Sequence, residues 1–90
     1  MQSTPLEWHF VHIRKGKTVA GFASIGKPQR DKAGLDWEVQ VRCDLHENLR
    51  AIPGVSPEDS LRMGQLFLKQ LYEGYELRTR DGKPFTFEPA

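Results

Sequence analysis

A single cysteine, Cys43, stands in the chain, so no internal disulfide can form and a reducing compartment is expected. No apolar run approaches the roughly 20 residues of a membrane-spanning helix. Residues 1–5 carry neither a basic stretch nor an apolar core, so no signal peptide is expected and a cytoplasmic setting follows. Neither charge sign prevails. Thirteen Lys and Arg against 12 Asp and Glu leave a formal net charge of +1, which excludes a whole-molecule polyelectrolyte attraction to nucleic acid or membrane. Internal repeats, low-complexity tracts, a glycine-rich phosphate loop and a Ser-His-Asp pattern are all missing. Ninety residues make one domain, 1–90, with one core of modest stability.

What is present is organised around Ser56 to Tyr75, which reads as one amphipathic helix. Ser56 is a natural N-cap, Pro57 fits the first helical position, and Glu58 and Asp59 put negative charge at the positive end of the helix dipole. Asp59 also occupies the capping-box position, and Gly74 marks the expected stop. At about 100° per residue, Leu61, Met63, Gly64, Phe67, Leu68, Leu71, Tyr72 and Tyr75 fall in an arc of about 180°. Gly64 lies inside that arc. Glycine costs about 1 kcal/mol relative to alanine in a helix interior, so close approach to a large side chain is expected there, under Trp37 or Trp8. Leu66 points into the polar arc.

The segments before the helix read as strands. Leu6 to Arg14 is rich in aromatic and β-branched residues, Lys15-Gly16-Lys17 is a turn, and Thr18 to Ile25 is a second strand. A two-residue turn at Lys15-Gly16 sets Leu6 opposite Ile25, Trp8 opposite Ala23 and Phe10 opposite Gly21, large against small. A three-residue turn shifts that register. Gly26 to Gly34 is a charged loop interrupted by Pro28. From Leu35 to Leu45, apolar and polar residues alternate without exception, as in a half-buried strand. His46 to Val55 reads as a connection, with a short strand or edge at Leu49 to Ile52. After the helix, Glu76 to Arg80 and Lys83 to Phe87 flank Asp81-Gly82, which signals a hairpin; a single extended tail is the alternative.

The expected fold is α+β: an antiparallel three- to five-stranded meander with one long amphipathic helix packed across one face. The expected core is Trp8, Phe10, Ile25, Trp37, Val39, Val41, Leu61, Gly64, Phe67, Leu68 and Leu71, with Phe85 and Phe87 over its open end. The other sheet face carries Val11, Ile13, Ala20 and Phe22 beside His9, Glu38, Gln40 and Arg42. A semi-apolar face of that kind is a candidate association surface.

Ile25-Gly26-Lys27-Pro28, the charged loop after it, Trp37 on the alternating strand, and Gly54-Val55 leading into the Leu-rich helix resemble a small uncharacterised bacterial domain family. That family has a β-meander followed by a long helix. The resemblance covers roughly residues 6–75 and implies the fold alone, since no activity, cofactor or substrate is attached to the family. Its members often carry a cysteine close after the tryptophan; here Glu38 and Val39 follow Trp37, and Cys43 lies further on.

Cys43 and His46 are spaced Cys-x-x-His, and His9 and His12 are spaced His-x-x-His. A zinc site needs several such ligands converging tetrahedrally. On a strand His9 and His12 point to opposite faces, and Cys43 is expected inward as a small hydrophobe. No metal and no cofactor is therefore expected. Asp36 and Glu38 share a strand face in the pattern of a wet surface, and no catalytic residue is assigned. Lys15, Lys17, Lys27, Arg30 and Lys32 cluster in the loops around the second strand as a candidate basic patch, with Asp31, Asp36 and Glu38 close by.

The first functional expectation is a small non-enzymatic domain acting by protein–protein contact, as a homodimer or with a dedicated partner, of immunity or accessory type. Its candidate interaction surface is Val11, Ile13, Phe22 and Leu66. The alternatives are a weak nucleic-acid-binding domain using the five loop cations, and an enzyme without a recognisable motif.

Overall fold

The first hairpin forms in the register that pairs large side chains with small ones. In the computed structural model, which describes residues 6–87, β1 (Leu6–Arg14) and β2 (Lys17–Ile25) set Leu6 opposite Ile25, Trp8 opposite Ala23 and Phe10 opposite Gly21. Residues 1–5, and the signal-peptide reading with them, lie outside the described residues. Lys15 and Gly16 both take positive φ, 53° and 80°, as a two-residue type I′ turn requires. A Cβ on Gly21 would stand 2.5 Å from Phe10 Cε2, so the Phe10 ring fills the space that a side chain there would need.

The charged loop is partly a strand. β3 (Gln29–Arg30) pairs with β4 (Trp37–Cys43) along the edge that β2 also uses, because β5 (His46–Gly54) occupies the other edge of β4. Gly26 N donates to Gln40 O at 2.8 Å, and by Gln29 the register has slipped by one residue. Lys27-Pro28 therefore forms a bulge, where a proline removes no ladder bond. The expected strand start at Leu35 is corrected to Trp37: Leu35 N donates to Asp31 Oδ1 at 3.1 Å in the preceding turn, and the side chain is 78% exposed.

The larger correction is β5, which is a nine-residue strand and not a connection. It sets Ile52 opposite Val39 and Arg50 opposite Val41, with an irregularity between Val41 and Cys43. As an edge strand it accommodates Pro53, which has no N–H to give. The sheet thus runs β5, β4, β2 with β3, β1 and β6 (Glu76–Arg78). It is a four-strand meander whose last strand is added at the far edge, after the helix α1 (Pro57–Leu71) has carried the chain back across one face.

The helix starts as its cap predicts. Ser56 is extended and its Oγ accepts from Asp59 N at 3.0 Å, while Asp59 Oδ2 accepts from Val55 N at 3.0 Å. It ends at Leu71 with Tyr72 as C-cap, so it is 15 residues long and stops short of Tyr75. Its buried line is narrow: Ser60, Gly64, Leu68 and Tyr72, every fourth residue. Met63, expected in the apolar arc, is 37% exposed. A Cβ on Gly64 would lie 3.1 Å from Val39 Cγ2 and 3.2 Å from Ile25 Cδ1. The helix therefore rests on three β-branched side chains, those of Ile25, Val39 and Val41, and not under a tryptophan.

Phe10, Ile25, Val39, Val41 and Leu68 are buried as expected, joined by Ala23, Cys43, Tyr72 and Phe87. Trp8, Leu61, Phe67 and Leu71 are only partly buried at the margin. Trp37 is outside the core; the Arg30 guanidinium lies 4.7 Å from its ring centroid. At the C-terminal end, Thr79 N donates to Lys83 O at 2.7 Å and Phe85 N to Leu77 O at 3.1 Å, so Asp81-Gly82 turns a short hairpin. Phe85 then stacks on Phe10 at 4.7 Å, and Phe87 meets Trp8 and Phe10 edge-on at 5.4 and 5.2 Å.

Because three aliphatic groups already meet at Gly64, Gly64→Leu should overpack the interface and destabilise the fold by about 1–3 kcal/mol. Urea unfolding followed by tryptophan fluorescence measures this; a neutral variant would mean that the helix sits elsewhere.

Candidate functional site

Strand alternation decides which residues α1 leaves uncovered. With Phe10 and His12 turned to the helix side, His9, Val11 and Ile13 of β1 face the other way, and β2 places Phe22, Ala20 and Thr18 directly opposite them. Val11, Ile13 and Phe22 are partly buried by their neighbours, and the His9 ring lies 5.7 Å from that of Phe22. β6 extends the face, with Arg78 opposite Val11 and Glu76 opposite Ile13, and the Arg78 and Glu76 side chains pair with each other. Val11, Ile13 and Phe22 are thus brought together. Leu66 is not: it is 44% exposed on α1, which packs against the opposite face of the sheet.

The five basic loop residues do not form one patch. Lys15 and Lys17 are at the β1–β2 turn, whereas Lys27, Arg30 and Lys32 follow the far end of β2, about 30 Å away by strand rise. Arg30 is further engaged by Trp37 and by the carbonyls of Gly34 and Leu35. Cys43 and His46 are directly paired across β4 and β5. Cys43 is buried, and His46 stacks on Phe67 at 6.4 Å. Among the described residues, no group of three His, Cys, Asp or Glu is placed to hold a metal ion, and no helix is long and apolar enough to cross a membrane.

One cluster was not foreseen. His12 is 5% exposed, and its Nε2 lies 2.7 Å from Asp44 Oδ2. Asp44 Oδ1 accepts from the Tyr72 hydroxyl and, at 3.0 Å, from Phe22 N. The rings of Phe10, Tyr72 and Tyr75 surround His12 within 6.3 Å of its own. Burial alone pushes the Asp44 carboxyl up, but the bonds from Tyr72, Phe22 N and His12 outweigh it and hold the group below the ordinary carboxylate value. Burial first, and then the bond to Asp44, push the Tyr72 phenol far above its ordinary value, so it stays a neutral donor. The cluster joins β1, the turn after β4 and the end of α1, and its bonds converge on one carboxylate. Sequence gave one signal for it: a histidine on the buried parity of a strand needs a polar partner.

No family model, no curated protein and no solved structure matches the chain. The bacterial family resemblance therefore gains no support, and any functional reading rests on geometry.

Asp44 has a lowered pKa in the folded state, so its stabilisation is complete above the ordinary value of 3.8 and is lost as pH falls through the lowered one. Asp44→Asn should cost about 2 kcal/mol at pH 7. The gap from the parent chain should close below pH 3.8 in thermal melts; a gap independent of pH would show that the charge is not what holds the cluster.

Proposed function

We propose that the chain is a non-enzymatic binding module that associates with a second copy of itself through the sheet face opposite α1. The observation that carries the reading is the run of Val11, Ile13, Ala20 and Phe22 on adjacent strands, with no element packed over it among the described residues. At about 3.4 Å per residue and about 4.8 Å between strands, β1, β2, β4, β5 and β6 make a face of about 600 Å². A standard interface takes about 800 Å² from each partner.

The rim supports a self-complementary contact. Glu7, Glu38 and Glu76 stand among His9, Arg42 and Arg78 on this same face. Under a twofold axis one patch meets itself, and both signs are available for pairing. A net charge of +1 adds little repulsion between copies. His12 and Tyr72 both bond to Asp44, and these mutual bonds favour a structural role for that cluster over proton transfer.

Light scattering across about 1–100 µM, a window that spans association free energies of about −8 to −5.5 kcal/mol, tests this. The mass should rise to that of a dimer with concentration, and Phe22→Asp should hold the chain monomeric by placing a carboxylate in the patch. A parent chain that stays monomeric throughout, or a variant that dimerises as well as the parent, would overturn the reading.

A further inference from the structure

The β1–β2 hairpin runs past the end of α1, and the helix side of its tip is not covered by the helix. There a cleft of about 420 Å³ opens, floored by His12 and Val19, walled by Tyr75 and edged by Arg14, Lys15 and Lys17. Ligand pockets commonly span about 300–1,000 Å³, so the cleft has the capacity for a small organic molecule. We propose that this cleft binds a small phosphorylated ligand carrying a flat ring, of mononucleotide size.

The charge arrangement is the main ground. Arg14 and Lys17 are directly opposite each other across the hairpin. Like charges in that position destabilise a β-pair, and Lys15 adds a third cation beside them. No described carboxylate lies in salt-bridge range of any of the three. Among the described residues the cationic rim thus has no carboxylate partner, on a concave surface, a local conflict of the kind that ligand sites carry. A phosphate dianion between the three would turn that repulsion into charge-assisted hydrogen bonds.

The remaining lining fits a ring. Val19 is 46% exposed on the floor, an apolar side chain offered to solvent. Tyr75 is held in place: Arg14 donates to its hydroxyl at 3.2 Å, with the guanidinium 5.1 Å from the ring centroid, and the His12 ring meets it edge-on at 5.2 Å. His12 is in turn fixed by Asp44. The Tyr75 ring is therefore already positioned by Arg14 and His12 before any ligand arrives, which lowers the ordering cost of binding.

The test is a titration of the ¹⁵N-labelled full chain with adenosine monophosphate, followed by amide shifts, with adenosine and inorganic phosphate titrated separately. Shifts should be confined to Lys15, Gly16, Lys17, Val19 and Tyr75, with a Kd below about 1 mM and with either component alone weaker by about tenfold or more. Lys17→Glu places a carboxylate opposite Arg14. It should raise the melting temperature while reducing affinity by about tenfold, which separates loss of the site from loss of the fold. No shift with the nucleotide at about 10 mM, unchanged affinity in Lys17→Glu, or equal shifts around Lys27 and Lys32 would overturn the proposal.

Discussion

The close approach of the helix to the sheet at Gly64 is the constraint on which the other features depend. At Ser60 the helix backbone lies against Gly54 of β5, where a Cβ would clash with Ser60 N, and at Gly64, which has no side chain, α1 lies almost directly on Ile25, Val39 and Val41. Toward its C-terminal end the buried residues become Leu68 and then Tyr72. Along this line the side chains grow toward the C-terminal end of the helix, where aromatic rings pack around Tyr72. Phe10 comes from β1, Tyr72 from the helix, and Phe85 and Phe87 from the last hairpin, with ring centroids 4.7–5.3 Å apart. Each aromatic side chain buries about 150–250 Å², so this cluster supplies much of the hydrophobic stabilisation of a 90-residue chain.

The end of α1 also places the polar cluster and the two open surfaces. Tyr72 is the last residue of the buried line, and its hydroxyl reaches the Asp44 carboxylate, which also holds His12. Removing Asp44 would leave the buried His12 ring and the Tyr72 hydroxyl without this acceptor, at about 1–3 kcal/mol. Beyond Tyr72 the helix has ended while the hairpin continues to Arg14 and Lys17, which is why a cleft exists there at all. On the reverse of the sheet no helix follows, and Val11, Ile13 and Phe22 remain at the surface.

Much of this was legible in the residues. Ser56, Pro57 and Asp59 named the helix start, because capping is local chemistry. The register of β1 and β2 stayed open between a two- and a three-residue turn; the alignment formed is the two-residue one that sets Phe10 against Gly21. β5 was legible only as a short strand or edge over Leu49 to Ile52, because Arg50 and Pro53 break the apolar alternation; an edge strand tolerates both, with Arg50 over the Phe67 ring and Pro53 losing no ladder bond. Trp37 was placed in the core on parity alone, but it sits at the strand's beginning under Arg30. Of the candidate surface, Val11, Ile13 and Phe22 follow from period two, whereas Leu66 could be assigned to a face only once the helix position was known. His12, Asp44 and Tyr72 are separated by 32 and 28 residues, and no local pattern joins them.

The packing of α1 on the sheet depends on the contact at Gly64. A NOESY spectrum of the ¹³C-labelled chain measures it directly. Strong cross-peaks are predicted from the Gly64 Hα protons to the Val39 Cγ2 and Ile25 Cδ1 methyls, weaker ones to Val41, and none to the Trp8 or Trp37 rings. Cross-peaks from Gly64 to a tryptophan ring, or none to Val39 and Ile25, would contradict it.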